Sequence, residues 1–271
     1  MPIALVNGIR IYHEVYGQGE PILLIMGLGG SALGWQSQIP TLSQHLRVIA
    51  HDNRDAGRSD KKATVYTMAD MADDAASLLG SLGIGSAHVY GVSMGGMIAQ
   101  EMALRHPERV RALVLGCTSP CPMAMPPSEK AVRDMTEAAE LPIREAFERT
   151  AWMGYSDAYF AAHRDDLWLR AQVEAGLQPP LEAWRRQYAA ASSFDARERA
   201  AQIGAPTLVM TGDEDPLIRA ENSRFLAEHV PGAQLVVFPG GRHAFNVEFE
   251  KESNAAVLDF IRRHSGVALQ R

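Results

Sequence analysis

The residues Gly91-Val92-Ser93-Met94-Gly95 form a G-x-S-x-G motif between a predicted strand, Ala87 to Tyr90, and a predicted helix that begins at Ser93. A turn of this kind strains the backbone of its central residue and exposes that side chain, while glycines two positions away leave room for the chain to pass. A serine hydroxyl held in this way can attack a carbonyl carbon. The motif therefore predicts that Ser93 is a catalytic nucleophile.

A serine nucleophile needs a base to accept its proton and a third group to orient that base. His243 is the candidate base among the nine histidines, because it follows the last predicted strand in the glycine-rich loop Pro239-Gly240-Gly241-Arg242. Most of the other histidines lie in or next to predicted helices, or at the ends of predicted strands. We therefore expect His243 to act as the general base.

Three carboxylates follow the predicted strand at Thr207 to Thr211, in the turn that contains Asp213, Glu214 and Asp215. A turn that ends a strand can direct a carboxylate towards the edge of the sheet. We choose Asp215 as the acid that orients the base. The spacing alone leaves Asp213 and Glu214 as alternatives, since solvated carboxylates are common in turns.

Short apolar runs bounded by glycine, proline or polar residues alternate with segments of helical periodicity over much of the chain. Alternation of this type predicts an α/β fold, with a mostly parallel sheet covered by helices on both faces. One predicted helix, Thr67 to Leu82, opens with a Thr67-x-x-Asp70 cap. The predicted strands are Ile9 to Val15, Pro21 to Met26, Leu46 to Ala50, Ala87 to Tyr90, Val110 to Leu115, Thr207 to Thr211 and Gln234 to Phe238.

The alternation stops between about Pro120 and Phe194, where the pattern is helical and no strand is convincing. We therefore predict a core built from residues 1–119 and 195–271, and a helical cap formed by residues 120–194. Part of this cap should face the cleft above Ser93, because the pocket lies between the cap and the core. The residues predicted to line that pocket are Met125, Trp152, Leu217 and Phe245.

The composition limits the possible partners of this 271-residue chain, whose net charge is −6. The charges are interspersed and form no basic stripe, which argues against nucleic acid as a partner. No leader peptide or membrane span is apparent, so we expect a soluble cytoplasmic protein with no membrane partner. Cys117 and Cys121 lack the spacing of a zinc site, and we expect reduced thiols and no metal. The oligomeric state stays open, a homodimer included.

The chain from Ile9 to about Arg263 resembles a capped α/β-hydrolase. The resemblance rests on the G-x-S-x-G motif, on Gly212 to Asp215, on Gly241 to Phe245, and on the chain order Ser93, Asp215, His243. It implies an oxyanion hole formed by the backbone N–H groups of Leu28 and Met94, with no cofactor. Its G-x-x-D pattern favours Asp215 over the neighbouring carboxylates.

Two positions depart from the pattern of this family. Met26 stands where relatives usually have histidine, and Asp55 stands where they commonly have glycine. The sequence around Asp55, together with Ser31 to Trp35, is similar to methylesterases that act on aromatic polyketides such as aclacinomycin. We interpret the loop from Asp52 to Ser59 as structural, with Asp52 and Arg54 holding the strand end.

The expected function is hydrolysis of a carboxylic ester or related acyl bond of a small, apolar substrate. Carbon–carbon bond hydrolases, enol-lactonases, cofactor-free haloperoxidases and acyltransferases of this fold use the same three residue types, so these activities remain alternatives. Another class of function, a small-molecule receptor with slow turnover, also stays open. Helices rich in aromatic and methionine residues, with an excess of acidic over basic residues, favour a neutral substrate over a multiply anionic one.

Overall fold

The computed structural model describes residues 2–265 and contains one eight-stranded sheet with the strand order β1-β2-β4-β3-β5-β6-β7-β8. Strands β3 to β8 pair in parallel with their neighbours, whereas β1–β2 and β2–β4 are antiparallel. The predicted α/β class with a mostly parallel sheet is therefore confirmed. The strands are β1 (Ile3–Val6), β2 (Ile9–Tyr16), β3 (Pro21–Ile25), β4 (Arg47–His51), β5 (Ala87–Val92), β6 (Val110–Gly116), β7 (Thr207–Gly212) and β8 (Gln234–Phe238).

Four consecutive helices separate β6 from β7, with no strand between them: α4 (Glu129–Ala138), α5 (Ile143–Gly154), α6 (Asp157–Ala175) and α7 (Leu181–Ser192). They occupy the segment that the sequence predicts to be helical. Short 3-10 helices cover Ala32–Trp35, Pro107–Arg109 and Arg197–Gln202. The other α-helices of residues 2–265 are α1 (Ile39–Leu42), α2 (Met68–Ser81), α3 (Met94–Arg105), α8 (Ala220–His229), α9 (Phe245–Glu248) and α10 (Glu250–His264).

The N-terminal hairpin is the main element that the sequence analysis missed. Strand β1 pairs with β2 through a turn in which Asn7 and Gly8 have φ values of 46° and 74°. An Asn-Gly pair adopts this left-handed conformation readily and is a strong hairpin signal. Strand β1 itself was difficult to predict from the sequence, because it has only four residues and Leu5 is largely exposed.

The predicted N-terminal capping box of α2, formed by Thr67 and Asp70, is present in the structure. The backbone N–H of Thr67 donates to Asp70 Oδ2 at 2.8 Å, and the backbone N–H of Asp70 donates to Thr67 Oγ1 at 3.3 Å. Two backbone donors at the helix start are thereby satisfied reciprocally. The helix then packs its apolar face, which includes Met71, Leu78 and Leu79, into the core on one side of the sheet.

Apolar clusters cover both faces of the sheet, because successive residues of a buried strand point to opposite sides. In β3, Leu23 and Ile25 belong to the cluster beneath α2 and α3, while Ile22 and Leu24 belong to the cluster beneath α10. Loops at the carboxyl ends of the parallel strands thus project from a rigid support. Among residues 2–265, no helix has the length and apolarity needed to cross a bilayer.

The imidazole of His51, at the end of β4, couples the stability of this sheet to pH. The residue is 2% exposed, and burial lowers its pKa from 6.5 to about 4 although Asp52 and Asp74 oppose the shift. Between these two pH values the unfolded chain binds more protons than the folded protein, so stability present above about pH 6.5 is lost as the pH falls towards 4. We expect His51 to account for about 2 kcal/mol of lost unfolding free energy between pH 7.5 and pH 5.

Urea unfolding at pH 7.5 and pH 5 measures this loss, and a His51→Leu variant supplies the comparison. The variant should show a smaller difference between the two pH values than the original protein. His13 and His88, whose pKa values burial also lowers, should retain the remaining dependence. An unchanged difference in the variant would show that His51 is not the responsible group.

Candidate active site

Ser93 lies at the junction of β5 and α3 with φ 56° and ψ −126°, a conformation that is strained for any residue except glycine. The flanking glycines are required by space. A Cβ atom at Gly91 would collide with the carbonyl oxygen of Gly95, and one at Gly95 would collide with the carbonyl oxygen of Ile25. The turn is therefore held by close backbone packing, and it leaves the Ser93 side chain partly exposed at the carboxyl edge of the sheet.

The three predicted side chains converge at this edge although they are distant in the sequence. His243 Nε2 lies 3.0 Å from Ser93 Oγ, and His243 Nδ1 lies 2.7 Å from Asp215 Oδ2. A carboxylate can only accept, so Nδ1 carries the proton and Nε2 is left as a free base facing the hydroxyl. This arrangement can remove a proton from Ser93 as its oxygen attacks an electrophile.

Asp215 is the carboxylate of its turn that reaches the imidazole. It is buried, and its Oδ1 accepts hydrogen bonds from the backbone N–H groups of Leu217 and Ile218 at 2.8 and 2.9 Å. Asp213 instead accepts the Gly240 N–H at 2.7 Å, and the side chain of Glu214 is 60% exposed. Two fixed backbone donors therefore orient Asp215 so that only its second oxygen faces His243.

Leu28 and Met94, whose backbone N–H groups are the predicted oxyanion donors, line the same cavity as Ser93. Within residues 2–265, neither N–H donates a hydrogen bond to a protein acceptor. Met94 is the first residue of α3, where an N–H group has no partner inside the helix and the helix dipole favours negative charge. These two donors could stabilise an oxyanion on a carbonyl under attack by Ser93.

The neighbouring residue, Gly29, connects this loop to the helical insertion. Its N–H donates to Oε1 of Gln187 on α7 at 2.8 Å, and Nε2 of the same fully buried side chain donates to the Arg54 carbonyl at 2.7 Å. Met26, one of the two positions that depart from the pattern of the family, packs its side chain against Gly30 and Gly34. The Met26 side chain thus fills space at the position where relatives usually have histidine. Gln187 fixes the loop that contains Gly29.

The backbone conformation and the hydrogen-bond partners of Asp55 account for its departure from the pattern of the family. Its φ of 66° accounts for the glycine that relatives commonly have at this position. The buried carboxylate accepts from Nε and Nη2 of Arg186 at 2.7 and 3.0 Å, and from the Tyr66 hydroxyl at 2.9 Å. The consecutive residues Arg186 and Gln187 therefore bind α7 to the core loop that follows β4.

The loop of His243 is also attached to the insertion. The N–H groups of His243 and Ala244 donate to the carbonyls of Met153 and Gly154, at the end of α5, at 3.0 and 2.9 Å. Arg242 Nη1 donates to two further carbonyls of this region, those of Trp152 and Tyr155, at 2.9 Å each. Helices α5 and α7 consequently hold the loop of His243 and the loop of Gly29 in fixed positions.

The cavity above Ser93 has two chambers of about 310 and 230 Å³. Of the predicted pocket residues, Leu217 lines both chambers and Met125 lines the second. Within the described residues, no group of three His, Cys, Asp or Glu side chains is arranged to bind a metal ion. Cys117 and Cys121 are buried free thiols, and Cys117 borders the first chamber.

The other two residues predicted to line the pocket, Phe245 and Trp152, border neither chamber. Phe245 is fully buried beneath the site, where its ring stacks on Phe238 at 4.8 Å. Trp152 packs inside the insertion, with Nε1 donating to Asp134 at 3.0 Å and its ring 3.8 Å from the Lys130 ammonium. Each ring is satisfied by a neighbour other than a ligand, since one belongs to the core of the sheet and the other to the contact of α4 with α5.

Sequence reasoning also missed residues of the insertion that do line the first chamber. Tyr155, Arg170, Glu174 and Trp184 border it together with His243. Arg170, Glu174 and Trp184 occupy ordinary helical positions, and Tyr155 lies in the short bend between α5 and α6, so no motif distinguishes them. Only the spacing of Arg170 and Glu174, one helical turn apart, could have suggested a pair.

The fold and the turn at Ser93 place this protein among the hydrolases of the α/β class. Residues 20–250 match the family described as having the alpha/beta hydrolase fold, and the chain belongs to that family. It is 30% identical over 273 residues to RutD of Azorhizobium caulinodans, to which carbamate hydrolysis is provisionally ascribed; the match covers 96% of this chain and 98% of that relative.

Two solved structures extend the comparison. The enol-lactonase from Burkholderia xenovorans is 25% identical, with a TM-score of 0.85, and the match covers 96% of this chain and 99% of that structure. The meta-cleavage product hydrolase CumD from Pseudomonas fluorescens is 26% identical, with a TM-score of 0.84 and coverage of 97% and 98%. The similarity therefore extends through the helical insertion as well as the sheet.

Proposed function

We propose that this protein is a serine hydrolase that cleaves a carboxylic ester or a related acyl bond through a covalent acyl-enzyme. The observation that carries the proposal is the hydrogen-bonded line from Ser93 through His243 to Asp215, with contacts of 3.0 and 2.7 Å. The orientation of Asp215 by two backbone N–H groups supports it further. We also propose that residues 120–194 act as a cap over this site.

In the first step, Ser93 Oγ attacks the acyl carbon while His243 Nε2 removes the hydroxyl proton. The carbonyl oxygen becomes an oxyanion that accepts from the N–H groups of Leu28 and Met94, each worth about 3 kcal/mol of transition-state stabilisation. The carboxylate of Asp215 stabilises the imidazolium. As the intermediate collapses, His243 returns the proton to the leaving group and the acyl group stays on Ser93.

In the second step, His243 Nε2 removes a proton from water, whose oxygen attacks the acyl carbon of the ester on Ser93. The same two N–H groups receive the second oxyanion. Collapse returns the proton to Ser93 Oγ and releases the carboxylic acid. The serine side chain thus ends each cycle unchanged, and the residues named here need no cofactor for either step.

The relatives act on different acyl compounds, according to their names: a carbamate, an enol-lactone and a meta-cleavage product. Attack of a serine on a carbonyl carbon is compatible with each of these substrates. The proposal therefore concerns the acyl-enzyme chemistry, with a carboxylic ester as its first substrate. Lactone and carbamate hydrolysis, carbon–carbon cleavage, perhydrolysis and acyl transfer are the alternatives on the same side chains.

Reaction with a fluorophosphonate probe tests the proposal. We expect one equivalent of probe to attach to Ser93, as identified by mass spectrometry of the digested protein, and to abolish turnover of p-nitrophenyl esters. Ser93→Ala should not react, whereas Ser81→Ala, at the exposed end of α2, should react like the original protein. Labelling that persists in Ser93→Ala would contradict the proposal, and ester binding without repeated turnover would favour a receptor.

A further inference from the structure

The cavity above Ser93 is divided, and the two parts differ in chemistry. Both chambers include the nucleophile, and they also share Leu28, Met135 and Leu217 in their walls. Helix α7 separates them, because Trp184 borders the first chamber and Tyr188 borders the second, with the two rings stacked 5.2 Å apart. The hydrogen bond from Gly29 N–H to Gln187, on the same face of α7, fixes this partition.

The position of the base determines which half of a substrate enters which chamber. His243 borders the first chamber and is not part of the lining of the second. A general acid must be within hydrogen-bond reach of the atom that it protonates, and His243 has to protonate the leaving alcohol. The alcohol half of an ester therefore occupies the first chamber, and the acyl half occupies the second.

The second chamber suits an apolar acyl group. Its wall contains Met94, Met97, Pro122, Met125, Val132 and Ile218. The polar side chains beside the nucleophile, Ser119, Ser192 and Tyr188, carry no charge. Unbranched methionines adapt their shape to a bulky ligand, so a branched or aromatic acyl group can be accommodated.

The first chamber carries more polar groups than the second, and the positive charge of Arg170 balances the negative charge of Glu174. Arg170 Nε donates to Glu174 at 2.9 Å, while its Nη1 and Nη2 donate to Ser37 Oγ and the Gly34 carbonyl at 3.0 and 2.7 Å. A carboxylate on the substrate would find this arginine already paired and would meet Glu174. The chamber therefore disfavours an anionic leaving group.

Tyr155 adds a hydroxyl to the same chamber. Tyr155 lines this chamber, and among residues 2–265 its hydroxyl forms no hydrogen bond with a protein group, so the hydroxyl is available to a ligand. Burial raises the pKa of Tyr155 to about 12, which keeps the hydroxyl protonated and able to donate at neutral pH. A half-buried donor that faces a ligand cavity discriminates between ligands that satisfy it and ligands that do not.

We infer that the enzyme acts on esters that join an apolar acyl group to a polar, uncharged, hydroxyl-bearing alcohol, with the alcohol bound beside Tyr155, Arg170 and Glu174. This inference rests on the proposed acyl-enzyme mechanism and adds a substrate class and an orientation to it. It restricts the expectation of a small, apolar substrate to the acyl half, because the alcohol half lies beside Tyr155, Arg170 and Glu174.

A pair of isomeric esters provides the test, because the two have the same atoms and opposite polarity about the ester bond. We expect kcat/KM for 2,3-dihydroxypropyl phenylacetate to exceed that for benzyl 3,4-dihydroxybutanoate at least tenfold, after each is divided by its rate of alkaline hydrolysis. 3-Carboxypropyl phenylacetate should be a poorer substrate than the diol ester. Equal values, a reversed order, or a preference for the carboxylate would overturn the inference.

Variants assign the preference to the two chambers. Tyr155→Phe should raise KM for the diol ester about fivefold, as expected for one lost hydrogen bond, and leave KM for propyl phenylacetate unchanged. Tyr159→Phe is the matched control, since its ring stacks on Tyr155 and its hydroxyl donates to the Val247 carbonyl. Met125→Trp should lower kcat/KM for the phenylacetyl ester and spare the acetyl ester of the same diol. The same KM changes with both propyl and diol esters would also refute the assignment.

The outcome for Ser93→Ala separates this inference from the proposed function. If that variant is inactive and the isomeric esters react equally, the orientation is wrong while the acyl-enzyme mechanism stands. If it hydrolyses both esters at the original rate, the mechanism itself is wrong.

Discussion

Replacement of Ser93 by alanine should lower kcat for ester hydrolysis roughly 10⁶-fold, the scale of loss found when a serine nucleophile is removed from a unit of this kind. The alanine keeps the Cβ atom and the backbone conformation at φ 56°, so the turn between β5 and α3 should fold as before. What disappears is the oxygen that lies 3.0 Å from His243 Nε2. Steady-state kinetics with p-nitrophenyl esters measure the loss.

The same variant should still bind its ligands. Its thermal midpoint and circular dichroism should match those of the original protein, and a substrate should remain bound without being consumed, as equilibrium dialysis can show. The two backbone N–H groups beside the turn, those of Leu28 and Met94, are untouched by the substitution. Retention of more than a hundredth of the original activity by a pure preparation would show that another group attacks the substrate.

Replacement of Asp215 by asparagine should reduce kcat about 10⁴-fold, although the two side chains have nearly the same shape. The Leu217 and Ile218 N–H groups, which now donate to Oδ1 at 2.8 and 2.9 Å, need an oxygen and will hold the amide oxygen there. The NH₂ group must then face His243 Nδ1, 2.7 Å away in the original protein. His243 is thereby forced to carry its proton on Nε2, and it cannot accept the proton of Ser93.

The other carboxylates of this turn provide the controls. Asp213→Asn keeps an oxygen acceptor for the Gly240 N–H, and Glu214→Gln changes an exposed side chain. Both variants should stay within about threefold of the original kcat, because neither residue contacts the imidazole. A larger loss of kcat for Asp213→Asn than for Asp215→Asn would show that Asp213, and not Asp215, orients the imidazole. Nuclear magnetic resonance of the His243 ring nitrogens can report the tautomer directly.

The features that the sequence alone could predict depend on a few neighbouring residues. Glycines at 91 and 95 were recognisable because the backbone leaves no space for a Cβ atom, and the Thr67 cap was recognisable because its partner is three residues away. The strand pattern was sufficient for the fold class, since buried strands and amphipathic helices have different periods. Every bound of the seven predicted strands lies within two residues of the observed bound, and half of the bounds coincide.

The sequence also made it possible to choose among the candidate histidines and carboxylates, because the topology of a parallel sheet determines which loops meet. Parallel strands bring their carboxyl ends to one edge, so the loops that follow β5, β7 and β8 must meet there. Residue spacing could not distinguish Asp213 from Asp215, and the resemblance to a family was needed. The structure gives the local reason: Asp213 bonds to the Gly240 N–H, while backbone donors turn Asp215 towards His243.

The sequence by itself determined the class of fold and the residues that could react. The tertiary structure alone decided what surrounds them, as Phe245 and Gln187 illustrate. Phe245 follows the His243 loop closely but points into the core, while Gln187, an unremarkable helical residue, reaches the loop beside Ser93. Successive residues of a helix point about 100° apart, and periodicity reveals which face of α7 is buried without revealing which surface it covers. That surface depends on how four helices pack over the sheet, which local sequence does not encode.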